Sequence, residues 1–210
     1  MSEEEIDRKI AVIFATDVVG YSKHMEANES ETVKNLRACE KLLREAFDKH
    51  KGRLFNTGGD SFLAEFPSAV AAVECAVEFQ ESIIKRNASD ETTVKLQFRI
   101  GINSGDVINE KDNLLGDGVN IAARLEALAQ PNGITISKVI YDFVKGKTQF
   151  EFNDIGFQKI KQNEFHAFDL LVSPEQKRTL KQKSNSILVF AISFIGILVI
   201  AILGLSLIHI

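Results

Sequence analysis

Two aspartates stand where a carboxylate could hold a divalent cation. Asp60 follows the glycines of RLFNTGGDSFLAEF, residues 53–66, in which two apolar runs flank a turn. This pattern predicts a β-hairpin whose turn contains Gly58 and Gly59. Asp17 follows another short apolar run, in FATDVVGYS. If the two segments are neighbouring strands, the carboxylates lie at adjacent strand ends. Such a pair can hold two Mg²⁺ or Mn²⁺ ions for in-line phosphoryl chemistry.

A plain structural role is also consistent with each aspartate taken alone. Gly and Asp are among the commonest turn residues, so Asp60 could be a solvated turn residue and Asp17 could cap a turn. Gly20 would let the chain turn tightly after Asp17. The backbone N–H groups of that turn would then form a nest able to hold polyphosphate, and the residues concerned are Val18, Val19, Gly20 and Tyr21.

A third motif, LLGDGVNIAARLEALA at residues 114–129, predicts a helix with chemistry on one face. Asn120 and Arg124 are four residues apart and therefore share a face. An arginine there could stabilise phosphate charge in a transition state, and an asparagine could orient a ribose oxygen. The alternative is a surface arginine paired with Glu126 or Glu110.

The intervening sequence predicts the elements that must hold these residues. Apolar residues at 9–15 indicate a buried strand, and helical spacing covers residues 30–50. Pro67 is expected to open a second helix, and VKLQFRIGI at residues 94–102 alternates as a half-buried strand that Gly105 ends. Helix 118–129, a PNG turn and further short elements follow, with strands near 149–160 and 165–172. The order predicts an α+β fold with helices on a mixed sheet.

Together, FATDVVGYS, TGGDSFLAEF and GDGVNIAARL resemble the catalytic domain of the class III nucleotidyl cyclases, over residues 10 to 172. The resemblance implies a ferredoxin-like palm (a βαββαβ core) with extra C-terminal strands. It also implies that Asp17 and Asp60 bind two Mg²⁺ or Mn²⁺ ions, while Asn120 and Arg124 position ribose and stabilise the transition state. IGFQKIK resembles the family's late strand, which assigns phosphate binding to Lys161.

The hairpin also resembles the GG-D-E-F signature of the diguanylate cyclases, which share the palm-like sheet. Ser61 stands where that signature has glutamate, and those enzymes lack an Asn-x-x-x-Arg helix. The mononucleotide cyclases therefore match better. In that family one subunit supplies the aspartates and the other supplies Asn, Arg and Lys. A single domain with both sets implies a head-to-tail homodimer with two composite sites and an inactive monomer.

The sequence departs from the family at the residues that read the base. Adenylate cyclases commonly place a lysine four residues before the second metal aspartate, where this chain has Asn56. The partner acid, Thr or Ser falls seven residues before the helix asparagine, where it has Asn113 beside Asp112. An asparagine amide both donates and accepts, so it can pair with adenine, guanine or a pyrimidine. ATP is the first expectation, GTP the second, and CTP or UTP remain open.

Composition and charge set the outer limits of this interpretation. The 210 residues carry a net charge of −4, which does not favour nucleic-acid binding. The acidic start is not a signal peptide, and Cys39 and Cys75 sit singly inside helical patterns, as reduced core thiols. We expect a catalytic domain at 1–172, a basic juxtamembrane linker at 173–186 and a transmembrane helix at 187–208, a 22-residue stretch without charge. Basic residues before it favour a cytoplasmic catalytic domain at the inner membrane of a bacterium, and a chain that continues beyond Ile210.

Overall fold

The computed structural model describes residues 6–89, 91–160, 163–173 and 176–178. Within them, strands and helices alternate largely in the predicted order. The strands are β1 (Arg8–Val18), β2 (Arg53–Gly58), β3 (Ser61–Phe66), β4 (Phe98–Glu110), β5 (Asn113–Leu115), β6 (Ile134–Ser137), β7 (Glu151–Ile160) and β8 (Asn163–Leu171). The helices are α1 (Tyr21–Ala27), α2 (Glu29–Lys49), α3 (Ala69–Asn87), α4 (Asp117–Leu128) and α5 (Lys138–Val144).

The strands form one mixed sheet in the order β2-β3-β1-β4-β6-β8-β7, with β5 paired to β4. Its first four strands are antiparallel and run β4-β1-β3-β2, which is the ferredoxin-like arrangement of a βαββαβ unit. β6 joins β4 in parallel and extends the sheet with the β7–β8 hairpin. The predicted palm with extra C-terminal strands is therefore confirmed.

Alternation along β1 divides the core between the two faces of the sheet. Phe14 contacts Phe47 of α2 and Phe66 of β3 on one face, with ring centroids 5.3 and 5.7 Å away. Ile13 lies on the other face, in a cluster that includes Ala122 of α4. The first face holds the larger cluster, under α2, α3 and α5.

Helix α4 lies almost in backbone contact with β4 at Gly101. A Cβ atom at this position would fall 2.1 Å from the backbone nitrogen of Glu126 and 2.2 Å from the carbonyl oxygen of Ala122. Only glycine admits so close an approach. The contact places the C-terminal half of α4 against the part of β4 that pairs with the end of β1.

Several predicted boundaries differ from the structure for local reasons. α3 begins at Ala69 instead of Pro67, because the Ser68 side chain accepts a hydrogen bond from the Ala71 N–H and caps the helix. β4 starts later than predicted and continues through Gly105 to Glu110, since it pairs with β1 from Phe98 to Ile108 and with β5 from Ile108 to Glu110. The short helix α1 was not predicted.

Among the described residues, no helix is both long and apolar enough to cross a membrane. The predicted transmembrane helix at 187–208 lies outside those residues, as does Lys161.

Candidate active site

The ends of β1 and of the β2–β3 hairpin bring Asp17 and Asp60 together. β3 pairs antiparallel with β1, and Thr16 lies opposite Phe62, so the hairpin turn stands beside the end of β1. Asp60 Oδ2 accepts a hydrogen bond of 3.3 Å from the backbone N–H of Val18. Burial raises the pKa of Asp60, and the nearby charge of Asp17 raises it further, against the lowering effect of this hydrogen bond.

Arg99 of β4 completes this corner, and the sequence alone did not single it out. The register of β1 and β4 places Arg99 directly opposite Asp17. Its Nε donates to Asp17 Oδ1 at 3.0 Å, and its Nη2 donates to Asp17 Oδ2. In the alternating pattern of VKLQFRIGI, Arg99 is only one of the polar positions. The register of the two strands is what assigns it to the site.

Glu126 of α4 lies against the same guanidinium group. Arg99 Nη2 is 3.1 Å from Glu126 Oε1, although this oxygen is buried and no hydrogen bond of good geometry reaches it within the described chain. Burial and the neighbouring carboxylate of Asp17 raise the pKa of Glu126 to about 8. Asp17, Asp60 and Glu126 thus place three carboxyl groups around one arginine, and burial with the charge of Asp17 raises the pKa of two of them.

This donor set suits a hard divalent cation. Mg²⁺ and Mn²⁺ prefer oxygen ligands and often take only one or two protein carboxylates, with the remainder from water and substrate phosphates. Asp17 and Asp60 provide such a pair. Among the described residues, no group of three or more His, Cys, Asp or Glu side chains is arranged to hold a metal ion. Two carboxylates suit ions that take their remaining ligands from water and a phosphate group. We call Asp17 and Asp60 the metal half-site.

The turn after β1 has the expected tight geometry, but not all its N–H groups are free. Gly20 is left-handed, with φ of 64°, and precedes α1. The N–H of Val18 is bonded to Asp60, and that of Val19 donates to the carbonyl of Gln97 at 2.8 Å. Of the four residues assigned to phosphate binding, Gly20 and Tyr21 have N–H groups that make no such contact with the part of the chain that the structure describes.

Asn120 and Arg124 lie on the side of α4 that faces away from the sheet. The helix buries Gly118, Ala122 and Leu125 against the sheet, whereas Asn120 is exposed. Arg124 is half-buried and its Nη1 is enclosed without a hydrogen-bond partner in the described chain. We call these two residues the α4 half-site. Glu126, about 200° around the helix from Arg124, turns toward the metal half-site instead.

The two candidate base readers meet each other. Asn56 of the edge strand β2 donates from Nδ2 to Asn113 Oδ1 of β5 at 3.3 Å. The same oxygen accepts from the Leu114 N–H at 3.0 Å. This backbone contact orients the Asn113 amide, leaving its Nδ2 donors available. Arg53 holds the two strands together by donating to the carbonyl of Asp112 at 3.0 Å.

Comparison with known proteins identifies the family of the chain. The family model described as the adenylate and guanylate cyclase catalytic domain matches residues 2–172. A Rhizobium meliloti (strain 1021) protein named "Putative adenylate cyclase 3" is 43% identical over 162 residues, which span 77% of this chain and 28% of that protein. The chain thus matches less than a third of this relative's length.

Solved structures show the same fold. An adenylate/guanylate cyclase/hydrolase from Silicibacter pomeroyi superimposes with a TM-score of 0.74 at 33% identity, covering 80% of this chain and 99% of that one. The adenylyl cyclase CyaB from P. aeruginosa does so with a TM-score of 0.70 at 24% identity, covering 82% and 98%.

Proposed function

The chain belongs to the adenylate and guanylate cyclase catalytic domain family, and from that premise we propose that it converts ATP to 3′,5′-cyclic AMP and pyrophosphate for second-messenger signalling. The observation that carries the proposal is the metal half-site. Asp17 and Asp60 occupy adjacent strand ends, and Arg99 contacts Asp17 at 3.0 Å. A relative named as an adenylate cyclase supports the choice of ATP.

Each group of site residues has its own role in the proposed reaction. Asp17 and Asp60 would hold two Mg²⁺ or Mn²⁺ ions, which acidify the ribose 3′-OH and neutralise triphosphate charge. Gly20 and Tyr21 offer backbone N–H groups to the phosphates. Asn120 orients the ribose so that its 3′-oxygen lies in line with the α-phosphorus, and Arg124 stabilises the charge that develops there. Lys161 is assigned to the phosphates as well.

The reaction requires two copies of the chain. Asn120 and Arg124 point away from the sheet that carries Asp17 and Asp60, so one copy cannot supply both halves to one nucleotide. A head-to-tail homodimer brings the α4 half-site of each copy to the metal half-site of the other. A membrane segment at 187–208 would hold the domains at the cytoplasmic face of the inner membrane and raise their effective concentration.

The choice of ATP as the substrate has one competing candidate, GTP. The oriented Asn113 amide presents donors, and Asn56 retains an acceptor oxygen. This polarity suits adenine, whose N1 accepts and whose N6 donates, but it also suits guanine, whose O6 accepts and whose N1 donates. A GTP cyclase is therefore the second candidate.

The test incubates the full chain in detergent separately with ATP, GTP, CTP and UTP, with Mg²⁺ or Mn²⁺, and identifies products by mass. Cyclic AMP as the main product supports the proposal, and another dominant cyclic nucleotide reassigns the base. A dimer that yields no cyclic product from any of the four would instead indicate a domain that binds nucleotide or dimerises without chemistry.

A further inference from the structure

Arg178, in the stretch predicted to link the domain to the membrane, is anchored on the domain itself. Its guanidinium group pairs with both carboxylate oxygens of Asp169 on β8, including an Nη2–Oδ1 contact of 2.6 Å. Asp169 is buried, with 8% of its side chain exposed, and it also accepts from Thr135 of β6 at 2.8 Å. A basic residue that only marked the cytoplasmic side of a membrane span would have no reason to pair with a buried acid.

The same guanidinium group reaches the end of α4. Arg178 Nη2 donates to the carbonyl oxygen of Leu128 at 3.1 Å, and Leu128 is the last residue of the helix. The last carbonyls of a helix lack partners within it and carry the negative end of its dipole. α4 has no basic residue in its own last turn. Arg178 therefore supplies from outside the helix the cation that this end lacks.

Gln176 fixes the turn that follows α4 in the same way. Its Nε2 donates to the carbonyl of Asn132 at 2.8 Å, and its own carbonyl accepts from Gln130 Nε2 at 3.0 Å. Its Oε1 accepts from the N–H of Val172 at 3.0 Å. Two of these side chain–backbone hydrogen bonds hold the segment against this turn and the third ties it to Val172, so Arg178 lies in an anchored segment.

The capped end lies one helical turn from the α4 half-site. Asn120, Arg124 and Leu128 follow each other at four-residue intervals and lie along one line of the helix, about 6 Å apart. We propose that Arg178 is a positioning residue: by capping α4 at Leu128 and tying it to Asp169, it sets the placement of Asn120 and Arg124. The inference deepens the proposed function, because it assigns control of that site to the segment at 176–178.

The first test needs no enzyme activity. In the full chain, the backbone amides of α4 from Arg124 to Ala129 should exchange with deuterium about threefold or more faster in Arg178→Ala than in the parent. Arg44→Ala, which removes an exposed arginine paired with Glu40 on α2, is the matched control and should leave α4 unchanged. Unchanged exchange in α4 of Arg178→Ala would overturn the proposal.

A second pair of variants separates positioning from charge balance. Removing Arg178 leaves Asp169 buried and unpaired, which could destabilise the whole domain. The double variant Asp169→Asn with Arg178→Ala removes both charges but not the need for a cap, so its α4 amides should still exchange faster. Protection restored to the parental level would mean that Arg178 only neutralises Asp169, and the proposal would fail. Arg178→Lys keeps one charge and folds more safely, but cannot contact both Asp169 and Leu128, so it should show an intermediate effect.

The kinetic test rests on the proposed function. Both Arg178→Ala and the double variant should lose about tenfold in kcat for the cyclisation, with KM for the metal nucleotide within about twofold of the parent. Equal kcat in parent and variants would refute the positioning role. If the parent itself made no cyclic nucleotide, the proposed function would fail, while the exchange experiments would still decide whether Arg178 fixes α4.

Discussion

The metal half-site and the α4 half-site lie on the same domain, yet their surroundings differ. Asp17 and Asp60 are partnered inside the chain, by Arg99 and by the N–H of Val18. In the described chain, Asn120 is exposed and Arg124 has an enclosed nitrogen without a hydrogen-bond partner. The carboxylates of one half-site are therefore held by partners within their own chain, whereas in the other an arginine nitrogen has none among the described residues.

The different surroundings of the two half-sites have a physical cause. A cluster of carboxylates must be held against its own repulsion, so it needs Arg99 and backbone N–H groups in the same chain. Asn120 and Arg124 lie on the other side of α4, and under the proposed function they meet a charged ligand only when a second copy brings it. The contrast teaches that the fold assembles the metal half-site from partners within one copy, whereas under the proposed function the α4 half-site acts on the metal half-site of a second copy.

The largest expected effect comes from neutralising the metal half-site. Asp60→Asn should lower cyclisation by about 10²–10³-fold, because it removes a ligand charge for the metal ions. The fold should persist, and the thermal unfolding midpoint in EDTA should not fall, since burial already raises the pKa of Asp60 and penalises its charged form. Product formation and thermal unfolding are the two measurements.

Asp48→Asn on α2 is the matched control for this variant, because Asp48 is an exposed acid outside the site. It should leave both measurements unchanged. Full activity in Asp60→Asn would show that the metal half-site has been assigned to the wrong residues.

A complementation experiment tests the contrast between the two half-sites. Arg124→Ala alone should be nearly inactive, because it lacks the charge that stabilises the transition state. Mixing it in equal amounts with Asp60→Asn should restore about one quarter of parental activity, since half the random dimers are mixed and each holds one intact site. Initial rates across mixing ratios measure this, and each variant mixed with itself is the control. A mixture no more active than its components would contradict the shared site.

How much of this arrangement could be read from the sequence depends on the range of each contact. Asp17, Asp60, Asn120 and Arg124 stood out because local signals mark them: strand ends, a glycine turn and a four-residue helical interval. Arg99 escaped notice because its role depends on the β1–β4 register, which pairs it with a residue 82 positions away. Arg178 was interpreted as part of a linker for the same reason, since its partner Asp169 is hidden by strand alternation.

Glu126 shows a related difficulty. The sequence suggested it only as a surface partner for Arg124, although residues two apart do not face each other on a helix and ion pairs form at three or four residues. The close approach of α4 to Gly101 turns it toward Arg99 instead. A glycine in an alternating strand pattern does not by itself predict that a helix packs against it. The mixed sheet covered by helices, by contrast, followed from the order of elements, and the palm implied by the cyclase resemblance was confirmed by the strand order.

Substitutions at the two base readers should change activity less than substitutions in either half-site. Replacing Asn56 by Lys and Asn113 by Asp installs the donor and acceptor common in adenylate cyclases, and should raise the ratio of kcat/KM for ATP over GTP by about tenfold. Competition assays with both nucleotides measure the ratio. Asn109→Asp, on β4 near the same edge, is the control and should not change it. An unchanged ratio in the double variant would show that the base is read elsewhere.

The smallest expected effect concerns Glu126 and the dependence of domain stability on pH. Burial and the nearby Asp17 raise the pKa of Glu126 from 4.5 to about 8 in the folded chain. The folded state therefore binds a proton more tightly than the unfolded state, and the free energy of unfolding should fall as the pH rises through that interval. Glu126→Gln has no proton to lose, so its thermal unfolding midpoint in EDTA should fall less than the parental midpoint between about pH 5 and pH 8.

The control for this comparison is Glu110→Gln, an exposed acid at the end of β4 whose variant should follow the parental pH dependence. A Glu126→Gln profile parallel to the parental one would mean that Glu126 is already ionised at acidic pH. The charge of Arg99 would then neutralise part of Glu126 as well as part of Asp17. The carboxylates of the metal half-site would keep more negative charge than the contact between Arg99 and Asp17 suggests. The pH profile thus measures how far one copy of the domain satisfies its own charges, which is the property that separates the two half-sites.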